Sequence, residues 1–430
     1  MARIVIFCWG SHGDVDPALG LATGLRARGH SVGIATLDYF RPVVEQSGCD
    51  FFPLRPHADP SDTATVHRIM DAKRGPENLL TEIVFPAVRD QYADVQVAAA
   101  GADLLVSHPL SIAVPIFAEQ HRVPWANMVL APTSFFSPTD MPVLPPAPWL
   151  KHLEVLGGWL PRLLVAGGKA TTHRWAHAVT AFRRELGLGD GLVPLFDGQH
   201  SPHLVLALYS RVLGEPQPDW PKHAVITGYM FHDAVHGAAL PDEVIEFLDA
   251  GTAPIVFTLG SSAVLSPGAF WKESTTAVRS MGARAIFLVG PGNAAAMRSS
   301  LPPSILAIER APHSLLFPRA AAIVQQCGAG TMGQALRSGR PTLAVPFAHD
   351  QPDNAFRAAR LGVARILPAG KYRAETAARE LRHLTSDRRY SDAAGAVAQR
   401  VRSERGIEAA CDAIDAAFPS LASGPAGRLS

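Results

Sequence analysis

The sequence has little of what several functional classes require. Its four cysteines, Cys8, Cys49, Cys327 and Cys411, lie far apart and form no CxxC pair. Neither a disulfide framework nor a zinc knuckle is indicated, and reduced thiols fit a cytoplasmic protein. The 17 histidines form no dense tract, so no metal site is expected. Charge of one sign is not in excess: Lys+Arg 39 against Asp+Glu 38 leaves net +1. That balance argues against a nucleic-acid partner held by phosphate neutralisation. No stretch reaches 18 apolar residues without a charge, so no membrane-spanning helix is expected. The opening stretch, MARIVIFCWGSHGD, loses its apolar character too early for a secretory signal.

What the chain does have is length and hydrophobic mass. It holds 430 residues, 47% hydrophobic and 18% charged, enough for a large core. At roughly 150 residues per domain, two or three domains are expected. Residues 3–8 (RIVIFC) read as a buried strand, 10–14 (GSHGD) as a loop, and ALGLATGLRARG as a helix opening at Pro17 and stopping at Gly29. His30–Thr36 is the next strand, which completes a βαβ unit and implies a parallel sheet. Strands recur at 103–107, 124–129, 254–259, 284–289, 321–324 and 342–345, with helical segments between them. The fold class is therefore α/β, with two doubly wound halves facing a cleft. The expected division is 1–215, a Pro-rich linker at 216–235, a second domain at 236–419 and a flexible tail at 420–430. Ligands in such folds sit at the carboxyl ends of strands. The loops of interest are thus 10–14, 107–111, 260–263, 290–294 and 326–331.

The segment 310–357 carries the most information. A strand runs into Cys327-Gly328-Ala329-Gly330-Thr331, where a helix begins. Glycines admit a ligand's phosphates to the backbone, and the helix N-terminus offers free N–H groups and partial positive charge. Glycines before helices are also common without any ligand. Downstream, Asp350-Gln351 adds a carboxylate and a carboxamide at a strand's carboxyl end, a pair suited to sugar hydroxyls.

These elements, QCGAGT, ALRSGRP and PFAHDQPDNA, resemble the donor-binding signature of family-one glycosyltransferases. The start, GSHGDVDPALGLATGLRARGH, resembles bacterial members of antibiotic, sterol and rhamnolipid type. The resemblance implies the GT-B fold and a nucleotide-diphosphate hexose, UDP- or dTDP-linked, as co-substrate, with no separate cofactor. It implies that Gly328, Gly330 and Thr331 hold the diphosphate, reached also by Ser261. Arg310 and Ala311 lie where the family holds the base, and Asp350 and Gln351 where it holds the sugar. Two positions depart from the pattern. Gln326 stands where relatives place a histidine, and it cannot become cationic. Gln334 stands where many relatives have a glutamate for the ribose hydroxyls, which leaves UDP and dTDP both open.

Transfer to a hydroxyl needs a base, a stabilised leaving group and alignment of the two. Asp14, in Gly13-Asp14-Val15-Asp16-Pro17, matches the base position; its bland role is a helix cap ahead of Pro17. His108 falls where plant relatives keep the partner aspartate, which suggests an inverted dyad in which His108 relays the proton or holds Asp14 ionised. His12 is a second candidate. The apolar stretch 131–168 is read as the acceptor mouth, with Phe135, Phe136, Trp149 and Trp159 facing a lipophilic hydroxylated molecule; core packing is the plain reading. At most peripheral membrane contact is expected, and a monomer or homodimer. The expected reaction is metal-independent, inverting hexosyl transfer. The alternatives are a nucleotide-sugar epimerase on the same fold and a donor-binding helper without catalysis.

Overall fold

The computed structural model describes residues 1–57, 62–145, 147–156, 158–233 and 239–421. Two all-parallel sheets organise the chain. The first contains β1 (Arg3–Phe7), β2 (Ser31–Thr36), β3 (Asp50–Pro53), β4 (Leu104–Ser107), β5 (Trp125–Val129), β6 (Val205–Ala207) and β7 (Ala224–Ile226), in the order β3-β2-β1-β4-β5-β6-β7. The second contains β8 (Ile255–Thr258), β9 (Ala285–Leu288), β10 (Ile305–Ile308), β11 (Ala322–Gln325), β12 (Thr342–Ala344) and β13 (Ala364–Ile366), in the order β10-β9-β8-β11-β12-β13. The central strands are buried on both faces: Ile4, Val5, Ile6 and Phe7 of β1, and all of β8 and β11. Continuous apolar strands of this kind need helices on both sides, as a doubly wound sheet provides.

In both sheets the chain starts in the middle and winds outward in two directions. The strand order reverses beside β1 and β4 in the first half, and beside β8 and β11 in the second. The loops after β1, β4, β8 and β11 therefore gather at the switch points, where such sheets bind ligands.

Three details differ from the sequence reading. The first helix begins at His12, not Pro17, with Ser11 as its N-cap and Pro17 in its second turn. The 216–235 stretch is not only linker, because β7 lies within it and pairs with β6. The last helix, Gly406–Ala417, leaves the second half and packs on the first. Its Ala410, Cys411 and Ile414 join the core of the first sheet, with Phe418 and Leu421 after it. Gly24 makes room for it: a β-carbon there would lie 2.4 Å from Ile407 Cγ2 and 2.8 Å from Cys411 Sγ. Arg28 adds ion pairs to Asp412 and Asp415. Beyond Leu421 the expected tail lies outside the described residues. No helix among the described residues is long and apolar enough to cross a membrane.

Candidate active site

The loop after β1 turns sharply into the first helix. Ser11 Oγ accepts from the Gly13 N–H, and Asp14 answers as the third helical residue: its Oδ2 accepts from the Ser11 N–H at 2.7 Å and the Ser11 hydroxyl at 3.1 Å. Asp14 is thus not the cap but the reciprocal half of a capping box. Gly10 makes this possible. Its φ is +147°, and a β-carbon on it would lie 2.3 Å from Asp14 Oδ2.

The second oxygen of Asp14 faces His108, which follows β4. His108 Nε2 stands 3.4 Å from Asp14 Oδ1, with the imidazole buried and the carboxylate 29% exposed. The Leu110 N–H points to His108 Nδ1 at 3.3 Å. That nitrogen is an acceptor, so in the neutral ring the proton sits on Nε2, the nitrogen nearer Asp14. His12 points elsewhere: its Nδ1 lies 3.3 Å from Asp16 Oδ1, and its ring packs edge-on against Tyr39 and Phe40.

The glycine turn of the second half comes directly against this loop. A β-carbon on Gly330 would lie 3.5 Å from the Gly13 Cα. Gly328 is the N-cap of the helix Ala329–Ser338, and no side chain caps it. The N–H groups of the first turn are thereby left for a ligand, with the helix dipole behind them. Thr331 sits in that turn, nearly buried. Gln326 is buried with its carboxamide wedged between two glycines; a β-carbon on Gly260 would fall 2.0 Å from its Nε2, and one on Gly328 3.2 Å. Ser261 follows Gly260 in a single helical turn after β8. Cys327 (φ 72°) and His349 (φ 57°) hold left-handed backbone that non-glycine residues seldom adopt. Both flank the turn and the Asp350 loop.

Asp350 sits at the N-cap of the helix Gln351–Arg360. Burial and the negative charge of Asp14 push its carboxyl up to about 7, against the pull of the Asn354 amide. The Asn354 amide donates to Asp350 Oδ2 at 2.7 Å and to the Cys327 carbonyl at 3.0 Å. It pins the Asp350 loop to the glycine turn. Sequence reasoning passed over this residue, although its spacing of four from Asp350 on a helix was the available signal. The Gln351 Oε1 accepts from the Phe347 and Ala348 N–H groups, which leaves its amide nitrogen as the remaining polar end. Burial pushes the pKa of the His349 imidazole down.

The remaining positions spread outward. Arg310 is exposed and reaches across to the first half, donating to the Tyr39 hydroxyl at 3.1 Å; Ala311 follows it, half-buried. Gln334 donates to Asp233 Oδ1 at 3.3 Å, beside the Arg337–Asp233 ion pair, at the edge of a cavity of about 490 Å³. The four aromatic positions do not share one environment. Phe135 stacks on Trp220 (3.9 Å between centroids) and His200, and Phe136 on Phe196 (4.3 Å). Trp149 and Trp159 are 61% and 71% exposed. The two phenylalanines are engaged in stacked ring packing with protein partners. Among the described residues, no group of three or more His, Cys, Asp or Glu could hold a metal ion.

Comparison with known proteins places this geometry. Residues 4–134 match the model of the glycosyltransferase family 28 N-terminal domain. Residues 280–410 match that of the erythromycin biosynthesis protein CIII-like C-terminal domain. Over 424 residues the chain is 30% identical to O-mycaminosyltylonolide 6-deoxyallosyltransferase of Streptomyces fradiae, covering 96% of this chain and 97% of that protein. The chain is a family-one glycosyltransferase. Sterol 3-beta-glucosyltransferase of Pichia angusta is 27% identical over 430 residues, which span 96% of this glycosyltransferase and 33% of that protein. Among solved structures, the calicheamicin glycosyltransferase CalG4 superposes with TM-score 0.71 at 17% identity, covering 98% of this chain and 99% of that one. The spinosyn rhamnosyltransferase SpnG, complexed with thymidine diphosphate, superposes with TM-score 0.70 at 18% identity, covering 96% and 100%. The glycosyltransferase thus has the GT-B fold of two parallel-sheet α/β domains and is of the antibiotic and sterol type.

Proposed function

We propose that the protein moves a hexose from a UDP- or dTDP-sugar to a hydroxyl of a lipophilic small molecule, with inversion. The observation that carries this is the contact between Gly13 and Gly330, which brings the Asp14 loop against the uncapped helix N-terminus. The diphosphate lies over Gly328–Thr331, where backbone N–H groups and the helix dipole stabilise the charge that develops on departure. Ser261 and the Gln326 amide add neutral donors, and no metal is required of this reading. Asp350 and the Gln351 amide hold the sugar hydroxyls, while Arg310 and Ala311 bound the base.

Asp14 accepts the proton of the incoming hydroxyl as its oxygen attacks the anomeric carbon from the face opposite the diphosphate. Displacement in that direction inverts the centre. The Ser11 donors fix the carboxylate, and His108 Nε2 stands 3.4 Å from its other oxygen. A lipophilic acceptor is supported by the relatives, an O-mycaminosyltylonolide 6-deoxyallosyltransferase and sterol 3-beta-glucosyltransferases.

The test pairs binding with turnover. Purified protein is titrated calorimetrically with UDP and dTDP, then assayed with the matching glucose donors and a panel of sterol and macrolactone alcohols. Asp14→Asn should leave nucleoside-diphosphate affinity within about twofold and lower turnover by roughly 100-fold to 10,000-fold. Undiminished turnover in that variant would refute the assignment of Asp14.

A further inference from the structure

A cluster of four charged side chains lies buried between the two halves, outside the reacting groups. Arg357 is almost wholly buried at the end of the second turn of the helix Gln351–Arg360. Its Nε donates to Asp353 Oδ2 at 2.7 Å, and one terminal nitrogen donates to Asp140 Oδ2 and to the Leu213 carbonyl. Asp140 Oδ1 also receives Lys151 Nζ at 3.1 Å. Asp353 Oδ1 accepts from the Val143 N–H at 2.9 Å. Lys151 is 3% exposed and Asp353 0%. Among these four residues two cations face two carboxylates. Burial opposes the ionisation of Asp140, but Arg357 and Lys151 outweigh it and hold its carboxyl below the ordinary range.

The position of this cluster is what gives it meaning. The helix that carries Asp353 and Arg357 presents Asp350 and Gln351 at its N-terminus. On one side Asn354 ties that end to the glycine turn through the Cys327 carbonyl. On the other, Asp353 and Arg357 tie the same two turns to residues 140–151 of the first half. A buried ion cluster adds little net stability over apolar residues of similar volume, whereas its directional bonds fix one relative placement. An apolar contact would let the helix slide; a guanidinium bonded to two carboxylates and a carbonyl does not.

We infer that Arg357, Asp353, Asp140 and Lys151 are positioning residues, which set the sugar-contacting end of the donor helix against the 140–151 segment of the other half. They touch no substrate; they act through Asp350 and Gln351. The inference rests on the donor site proposed above. It adds that the sugar end of that site is held by directional bonds from the opposite half.

The two ends can be separated by experiment. The paired variant Asp140→Asn with Lys151→Met removes one charge of each sign and leaves the net charge of the four residues unchanged. Arg357→Lys keeps the charge and loses the planar fork. Each is titrated with UDP and UDP-glucose, and with dTDP and dTDP-glucose, alongside thermal unfolding. Affinity for the nucleoside diphosphates should stay within about twofold of wild type. The ratio of sugar-nucleotide to nucleoside-diphosphate Kd should rise at least fivefold in both variants. An unchanged ratio in folded variants, or equal weakening of both ligands, overturns the positioning role. So does failure of both variants to fold, since the cluster would then serve stability. A wild-type protein that binds none of the four ligands would instead refute the donor site itself.

Discussion

Asp350 offers a test that needs no substrate. Its carboxyl stands at about 7 in the native protein against an ordinary 3.8, because burial and the charge of Asp14 disfavour the anion more than the Asn354 amide favours it. That rise corresponds to about 4 kcal/mol at about 1.4 kcal/mol per pH unit. The sign follows from linkage. Below about pH 4 the group is protonated in both folded and unfolded chains and costs nothing. Between pH 4 and 7 the unfolded chain gives up the proton while the native one keeps it, so stability falls as pH rises. Above 7 the loss is complete. Asp350→Asn removes this dependence and retains an oxygen to accept from Asn354. Denaturant unfolding of both proteins at half-unit steps from pH 4.5 to 8 isolates the effect as a difference, in which other titrating groups cancel. The variant should gain about 3 kcal/mol relative to wild type between pH 4.5 and 8, the first roughly 1 kcal/mol being lost below that range, while losing affinity for sugar nucleotides. Asp14→Asn should move the wild-type inflection downward, because it removes the second cause. A stability difference that does not vary with pH would show that Asp350 is not desolvated, and the burial of its loop between the glycine turn and Asp14 would be wrong.

Two glycines supply further expectations. In Gly10→Ala, the new β-carbon would fall 2.3 Å from Asp14 Oδ2, and the carboxylate, tied to Ser11 and His108, must shift. Turnover should drop about 100-fold, as for a misplaced reacting group, with nucleoside-diphosphate affinity kept; a steady-state assay showing less than a twofold change would contradict this. Gly260→Ala places a β-carbon 2.0 Å from Gln326 Nε2 at φ +64°. It should cost about 1–2 kcal/mol in thermal or denaturant unfolding and weaken nucleoside-diphosphate binding at least tenfold; wild-type affinity would mean that the Gln326 amide plays no part in holding the ligand.

How much of this was legible in the sequence follows the layers of the fold. The eight strands read directly, β1, β2, β4, β5, β8, β9, β11 and β12, include the whole centre of each sheet. They are covered on both faces, and so they appear as unbroken apolar runs. The five missed, β3, β6, β7, β10 and β13, all occupy outer positions and span three or four residues each. Such short outer strands are hard to tell from loops. The Gly-rich turn and the Asp350 loop were legible because backbone chemistry restricts which residues can form them. Trp149 and Trp159 were legible as apolar, but composition does not say whether an aromatic side chain meets protein, ligand or solvent.

What the sequence could not show was pairing at a distance. The tautomer of His108 is set by the Leu110 N–H, and the ring meets Asp14 only because β4 lies beside β1. Likewise, Asp140 and Arg357 are 217 residues apart, and nothing in either local pattern marks them as partners. Their residue types were nevertheless a signal. The helix Gln351–Arg360 has an aspartate and an arginine four apart on the face that a helix of this fold turns inward, Asp353 and Arg357, where apolar residues are the default. Asp353 and Arg357 answer each other within the helix, and the remaining Arg357 N–H and Asp353 oxygen take partners from the other half. The Asp140–Lys151 stretch, rich in proline and otherwise apolar, supplies these partners. In this helix the charge out of place marks a contact between the halves, whereas the buried Glu380 and Arg183 find their partners within their own half.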